Sequence, residues 1–346
     1  MKIALLAPFE EGVPPEKYGG TELIVYSLAQ LLPQKGHKVY LLASGDSRTK
    51  AELLPIFPAG LRKEKLALDL KSREAFKYIG ISKIIKALLK IKVDIIHNHI
   101  GWRFLPFAFL FDAPTLTTLH GPLDSEYQRL VYGQFKQFPY VSVSKSQQKP
   151  FPGLNYAATI YNGINVKDFE FNDKPKNYFA FLGRMSPEKG PAEAIKAAKK
   201  AKAKLKMAAK IDVVDKEFFE KAVKPFINQT QIEFRGEIGP KEKNEFLKNA
   251  LALLAPLQWK EPFGLFMVEA MACGTPVIVF DQGSAKEIVE DGKTGFVVKN
   301  LDEMVRAIKK ITNIKRDACR KRVEELFTDC RMVSQYEKIY KEIIKK

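Results

Sequence analysis

Glu261-Pro-Phe-Gly-Leu-Phe-Met-Val-Glu269, continuing through Ala270-Met-Ala-Cys-Gly-Thr-Pro-Val277, sets two carboxylates eight positions apart across a loop, a helix start and a strand. Pro262-Phe263-Gly264 cannot continue a helix. The pattern predicts a helix that begins near Gly264 or Leu265 and ends at Gly274, a glycine suited to the left-handed C-terminal cap. Val277–Phe280 then reads as a short buried strand. Glu261 falls on the loop before the helix and Glu269 about one turn inside it. The first N–H groups of the helix have no intrahelical acceptor and face any anion docked there. One carboxylate can take sugar hydroxyls and the other ribose hydroxyls, with a phosphate between them. A pair of acids at this spacing also arises by chance on an ordinary βαβ unit, as a cap and a surface residue, so the rest of the chain has to decide.

Upstream, residues 178–182, 205–208, 232–235 and 251–254 read as strands, with helices over Pro191–Ala201 and 240–249. The N-terminal half repeats the alternation. Residues 2–7 form a strand, 9–20 a Pro/Gly-rich loop, and Thr21 caps a helix whose apolar face includes Ile24, Leu28, Leu31 and Leu32. Gly36 stops that helix, residues 38–43 form a second strand, and 93–97, Thr115–Leu119 and 140–143 form further ones. Gly19-Gly20 lacks the G-x-G-x-x-G spacing of a dinucleotide site, which disfavours a nicotinamide-binding domain. Between the halves the pattern breaks near Tyr161–Ile164, and the polar stretch 169–177 with Pro175 reads as a hinge. Two alternating series imply two parallel sheets with helices on both faces, whose ligands sit beyond the carboxyl ends of the strands.

A chain of 346 residues suits two such domains. No stretch approaches the roughly 20 apolar residues of a membrane span, and residues 2–8 are too short an apolar run for a signal peptide. Cys273, Cys319 and Cys330 are odd in number and lack metal-ligand spacing, so a reducing cytoplasm is expected. The net charge of +17 is spread evenly. Residues 1–168 hold 22 Lys or Arg against 14 Asp or Glu and the remainder 35 against 26, an excess of 8 and 9. Without a basic arm or aromatic residues among the basic ones, single-strand nucleic-acid binding is disfavoured. The charge leaves open plain solubility, a polyanionic acceptor, or a peripheral contact with anionic lipid at the inner membrane face. Lys83, Lys86 and Lys90 around Ile81, Ile84, Ile85, Leu88 and Leu89 mark a helix that either packs on the core or offers such a surface.

Trp259–Leu265, Glu269–Ile278 and Gly283–Val298 resemble the donor-binding half of family 4 retaining glycosyltransferases of the GT-B fold, the group 1 glycosyl transferases. The likeness extends to Tyr18-Gly-Gly-Thr-Glu22, Asp94-Ile-Ile-His-Asn-His99, Leu119-His120-Gly121, Tyr161-Asn-Gly-Ile164 and Phe181–Gly190. It implies an α/β fold of two Rossmann-like domains with parallel sheets facing a central cleft. Residues 1–168 would form the acceptor-side domain, joined by a C-terminal helix over 331–346, and 169–330 the nucleotide-sugar domain. The activity implied is that of a hexosyltransferase moving a hexose with retention from a nucleoside diphosphate sugar, expected to be UDP-linked, to a hydroxyl of a glycan, lipid or small molecule.

By the same resemblance, Arg184 and Lys189 face the leaving diphosphate, whose growing charge needs compensation. Gly19 and Gly20 bring backbone N–H groups to the phosphate, and His120 takes a hydroxyl of the transferred sugar. Glu237 and Ile238 hold the base, and Glu261, Pro262, Phe263, Gly264, Leu265 and Glu269 complete the donor site. His97 reads as a strand-end packing residue and His99 as a cleft-lining one. Ala209 and Lys286 stand where similar sequences carry glycine and proline, which affects the shape of the donor pocket. No two of the fourteen aspartates lie two positions apart, so the Asp-x-Asp metal motif is missing and neither a metal nor another cofactor is expected. Two rivals share parts of this pattern. A nucleotide-sugar epimerase has the same fold but releases free sugar, and a nonenzymatic polyanion binder accounts for the charge but leaves Glu261 and Glu269 unused.

Overall fold

The computed structural model describes residues 1–17 and 19–345; Tyr18, which opens the Tyr18–Glu22 stretch, Lys346, at the end of the expected C-terminal helix, and the side chains of Leu68 and Leu70 lie outside the described residues. Contacts divide the chain into a first unit, Met1–Gly163 with Asp329–Lys346, and a second, Ile164–Thr328. Ile164 pairs with Thr328 in a parallel bridge and donates its N–H to Phe327 O at 2.9 Å, which ties it into the second unit ahead of the polar stretch 169–177.

In the first unit, β1 (Lys2–Leu6), β2 (Lys38–Ser44), β3 (Glu52–Phe57), β4 (Ile95–Asn98), β5 (Thr115–Leu119), β6 (Tyr140–Ser142) and β7 (Tyr156–Thr159) form a parallel sheet in the order β3-β2-β1-β4-β5-β6-β7. In the second, β8 (Phe179–Arg184), β9 (Leu205–Lys210), β10 (Ile232–Phe234), β11 (Ala252–Ala255), β12 (Val277–Phe280) and β13 (Gly295–Val298) form another, in the order β10-β9-β8-β11-β12-β13. The central strands β4, β5 and β11 are buried at every position, as strands covered by helices on both faces must be.

Three of the strands lie where no strand was expected, and all three are edge strands. Pro55 argues against a strand at 52–57, yet β3 has a single neighbour, β2, where a missing N–H costs no ladder bond. The strands β7 and β13 are four residues long and end their sheets. The first helix also starts earlier than expected. It runs Gly20–Gln34 with Gly19 at the cap and no side-chain capping bond, so Thr21 lies inside the first turn rather than ahead of it. A Cβ on Gly19 would lie 2.8 Å from Pro15 Cβ, and the bare backbone there lets the helix begin against the preceding loop.

The helix Leu70–Leu88 buries Ile81, Ile84 and Leu88 in the first unit's core and leaves Tyr78, Ile79 and the following Leu89 exposed. The C-terminal helix, Asp329–Ile344, lies against Gly20–Gln34 and buries Tyr336 and Tyr340 completely. No described helix is long and apolar enough to cross a membrane.

Candidate active site

In the second unit two loops leave the carboxyl ends of neighbouring strands. The first runs from β8 through Met185 and Ser186 into a 3-10 turn, Pro187–Lys189, and then Gly190 and the helix Pro191–Ala201. Gly190 has φ +74°, and a Cβ on it would stand 2.0 Å from Pro256 O, so glycine alone lets this loop lie against the residue after β11. That approach brings Lys189 to the second loop. Its Nζ forms an ion pair with Glu261 Oε2 and stands 4.8 Å from the Trp259 ring centroid and 5.4 Å from that of Phe266. Only 12% of the lysine side chain and 10% of the glutamate's are exposed, so each charge depends on the other.

The loop carrying Glu261 is fixed from a third side. Ser284 donates its N–H to Glu261 O at 3.0 Å and its hydroxyl to Phe263 O at 2.6 Å. Gly283, at φ +57°, would place a Cβ 2.3 Å from Glu261 O. After Pro262 and Phe263 the chain turns at Gly264, φ +88°, into the helix Leu265–Ala272, which ends at Cys273 before the left-handed Gly274. Of its first-turn N–H groups, that of Met267 donates to Gly264 O at 3.0 Å, and those of Leu265 and Phe266 have no acceptor among the described residues. Glu269, 5% exposed on that helix, pairs with Lys243 of the helix Pro240–Lys248 at 2.5 Å. Glu237 and Ile238 lie between β10 and that helix, both partly buried, and Ile238 lines a cavity of about 530 Å³ with Arg235, Lys241, Glu242, Glu245 and Phe246.

Arg184 is not the solvated cation a loop position suggests. Glu188 pairs with it, Asp215 Oδ2 lies 3.2 Å from its Nε, and Asp212 Oδ2 lies 3.8 Å from Nη1. Burial alone would raise the Glu188 carboxyl, but its backbone and Ser186 hydrogen bonds and the Arg184 charge bring it below its ordinary value. Burial raises Asp215, and Arg184 offsets only part of that. One guanidinium thus faces three carboxylates, and a diphosphate reaching Arg184 must take the place of at least one of them.

In the first unit His120 follows β5, partly buried, and burial holds its pKa down to about 4. Its Nε2 is 2.8 Å from His99 Nδ1, and His99 Nε2 is 3.2 Å from His97 Nδ1. His97 therefore hydrogen-bonds within this row as well as packing at its strand end, and His99 is 4% exposed. Gly19 and Gly20 open the helix Gly20–Gln34, and Glu22 in its first turn is buried. Burial raises Glu22 to about 7 against the lowering effect of its own backbone N–H.

The sequence expectation overlooked Lys243, the Trp259 and Phe266 rings around Lys189, and the acids around Arg184. Lys243 and Glu269 sit on separate helices 26 positions apart, and no spacing rule links them. Trp259 was visible as the residue ahead of Lys260-Glu261, but only the fold places it over Lys189.

Two family models divide the chain between them. "Glycosyltransferase Family 4" matches residues 18–168 and "Glycosyl transferases group 1" residues 165–325. The chain belongs to the group 1 glycosyltransferases. An uncharacterized glycosyltransferase of Methanocaldococcus jannaschii is 28% identical over 263 residues, 68% of this chain and 72% of the relative. The phosphatidyl-myo-inositol mannosyltransferase of Mycobacterium tuberculosis is 24% identical over 86% of this chain and 82% of its own. Among solved structures, Anabaena HepE in complex with UDP and glucose superposes with a TM-score of 0.77 at 18% identity, covering 99% of this chain and 100% of that one. Two parallel-sheet α/β units in this order are the GT-B architecture of such enzymes.

Proposed function

We propose that this glycosyltransferase moves a hexose from a UDP-sugar to a hydroxyl acceptor, with retention and without a divalent metal. The observation that carries the donor reading is the open start of the helix Leu265–Ala272 between two buried carboxylates, Glu261 held by Lys189 and Glu269 held by Lys243. An anion at that helix start meets backbone N–H groups and the positive end of the helix. Glu269 then takes ribose hydroxyls, Glu261 a hydroxyl of the transferred sugar, and Glu237 with Ile238 the base. Lys189, and Arg184 once it exchanges a carboxylate for phosphate, offset the charge that grows on the leaving diphosphate, which is the part a metal plays in other transferases. Gly19, Gly20 and His120 keep the roles their motifs imply, the amides toward phosphate and the imidazole toward a sugar hydroxyl. The UDP complex of the structural relative supports uridine as the base.

Among the described residues we assign no second carboxylate as a nucleophile on the sugar. The favoured step breaks the bond from the anomeric carbon to the diphosphate oxygen and forms the bond to the acceptor oxygen on the same face. The acceptor proton passes to the leaving diphosphate, so the chemistry balances without a protein base.

Incubating the full chain with a panel of UDP- and GDP-sugars and measuring released nucleotide, with and without EDTA and with NMR of the product anomer, tests each part. Release of UDP that survives EDTA, with an α-linked donor giving an α-linked product, is expected. Free sugar released without acceptor, activity restored only by added metal, or an inverted product would each overturn the corresponding part.

A further inference from the structure

Three of the chain's four histidines form one hydrogen-bonded row inside the first unit. His120 contacts His99, His99 contacts His97, and His97 meets Tyr340 Oη at 2.6 Å through Nδ1 and Thr118 Oγ at 2.8 Å through Nε2. Thr118 Oγ in turn lies 2.9 Å from Tyr336 Oη. Burial holds all three imidazoles below their ordinary pKa, so each is neutral near pH 7 and carries a single N–H. Burial also keeps the Tyr340 hydroxyl protonated, well above the usual tyrosine range.

With one hydrogen per ring, the direction of the row follows from its far end. Tyr340 is fully buried and its hydroxyl has no other hydrogen-bond partner among the described residues, so its hydrogen has to go to His97 Nδ1 at 2.6 Å. The hydrogen of His97 then sits on Nε2, toward Thr118 Oγ. A bare His97 Nδ1 would repel a bare His99 Nε2 at 3.2 Å, so His99 carries its hydrogen on Nε2 and makes the longer branch of a three-centre bond to the lone pair that also takes the Tyr340 hydrogen. Its Nδ1 is left to accept from His120 Nε2–H. His120 has then used its one hydrogen inward. Among the described residues nothing pairs with its Nδ1.

We propose that Tyr340, on the C-terminal helix, sets the tautomer of His120 through His97 and His99, so that His120 presents a bare Nδ1 that accepts a hydrogen bond from a substrate hydroxyl. His97, His99 and Tyr340 are thus positioning residues. The substrate half of the inference rests on the proposed contact between His120 and the transferred sugar. The tautomer half does not.

The test uses the full chain with 15N-labelled histidine and no ligand, in which long-range proton–nitrogen NMR reads the protonated nitrogen of each ring. With only four histidines, single His→Gln variants assign the signals. All three rings are expected as Nε2–H in the wild type. Tyr340→Phe removes the hydrogen given to His97 Nδ1 and should release His120 from the Nε2–H form. Tyr336→Phe, on the other branch, should leave it in place. In turnover, Tyr340→Phe should lower kcat about tenfold with KM within about twofold, the pattern of a contact realised in the transition state. An Nδ1–H tautomer of His120 in the wild type overturns the proposal, and that measurement stands even if a variant fails to fold. So does an unchanged tautomer in folded Tyr340→Phe. A tautomer that moves as expected while kcat stays constant supports the relay and removes the sugar contact of His120 instead.

Discussion

Lys189 and Glu261 show how far one residue pair can be read in two ways, as a structural ion pair or as part of a binding site. Both side chains are almost fully enclosed, and the ammonium also lies near two aromatic rings. Removing one partner of such a pair leaves the other charge buried and uncompensated, at a cost of about 3–5 kcal/mol, whereas replacing both by apolar residues is often nearly neutral. Lys189→Met and Glu261→Leu should therefore each lower the unfolding free energy by about 3 kcal/mol, and the double variant by clearly less than the sum. Transfer should follow a different rule. If both groups act on the donor, the double variant regains stability while kcat/KM stays at least about tenfold below wild type, since neither charge is present to meet the transition state. Urea unfolding alongside initial-rate measurements separates the two roles, and a double variant that recovers both stability and rate would leave the pair purely structural.

At the scale of loops and helices, the site depends on glycines that let backbones touch. Gly283 and Gly292 both have positive φ, +57° and +74°, but a Cβ at 283 would meet Glu261 O at 2.3 Å while nothing lies within 4 Å of one at 292. Gly292→Ala should cost only the left-handed strain of about 1–2 kcal/mol and leave turnover intact. Gly283→Ala adds the clash and must move the Glu261 loop, so its kcat/KM should fall well beyond its stability loss; equal effects of the two substitutions would uncouple this contact from the site. Elements of this kind mark the limit of what the residues announce. The helix Leu265–Ala272, its Gly274 stop and the strand Val277–Phe280 follow from Pro-Phe-Gly, glycine and an apolar run, all local signals. The edge strands β3, β7 and β13 lacked such signals because half-buried short strands carry weak patterning. The positions of Glu261 and Glu269 were legible, but their lysine partners were not, because Lys189 and Lys243 reach them through tertiary packing across 72 and 26 positions. The acids around Arg184 were missed for the same reason: Asp212 and Asp215 come from the loop after β9.

The first unit as a whole carries buried groups whose titrations oppose one another, and their balance predicts its stability profile. Burial raises Glu22 to about 7 from 4.5, so its neutral form favours the fold; that contribution is complete below about 4.5 and is lost as pH rises through 7. His97, His99 and His120 have lowered pKa values, so their neutral forms favour the fold; that contribution is present above about 6.5 and is lost as pH falls. As pH falls from about 6.5 toward 4.5 the unfolded chain gains close to three protons on these histidines and the folded one, whose imidazoles burial keeps neutral longer, gains fewer, while the folded chain alone holds a proton on Glu22, so the difference is at most three minus one. Stability should then rise by at most about 3 kcal/mol per pH unit across that window and level off between about 6.5 and 7.5, where the protons still leaving the unfolded histidines offset the one leaving Glu22. Glu22→Gln removes the opposing proton while keeping the side chain's size. Its slope below pH 6.5 should steepen by about one proton, about 1.4 kcal/mol per unit, and its profile should go on rising to about pH 7.5, where the unfolded histidines have lost their protons. Urea unfolding of both proteins over this range reads the slopes directly. A wild-type profile that Glu22→Gln leaves unchanged would mean that the Glu22 carboxylate is solvated in the folded protein despite its enclosure in the first turn of the helix.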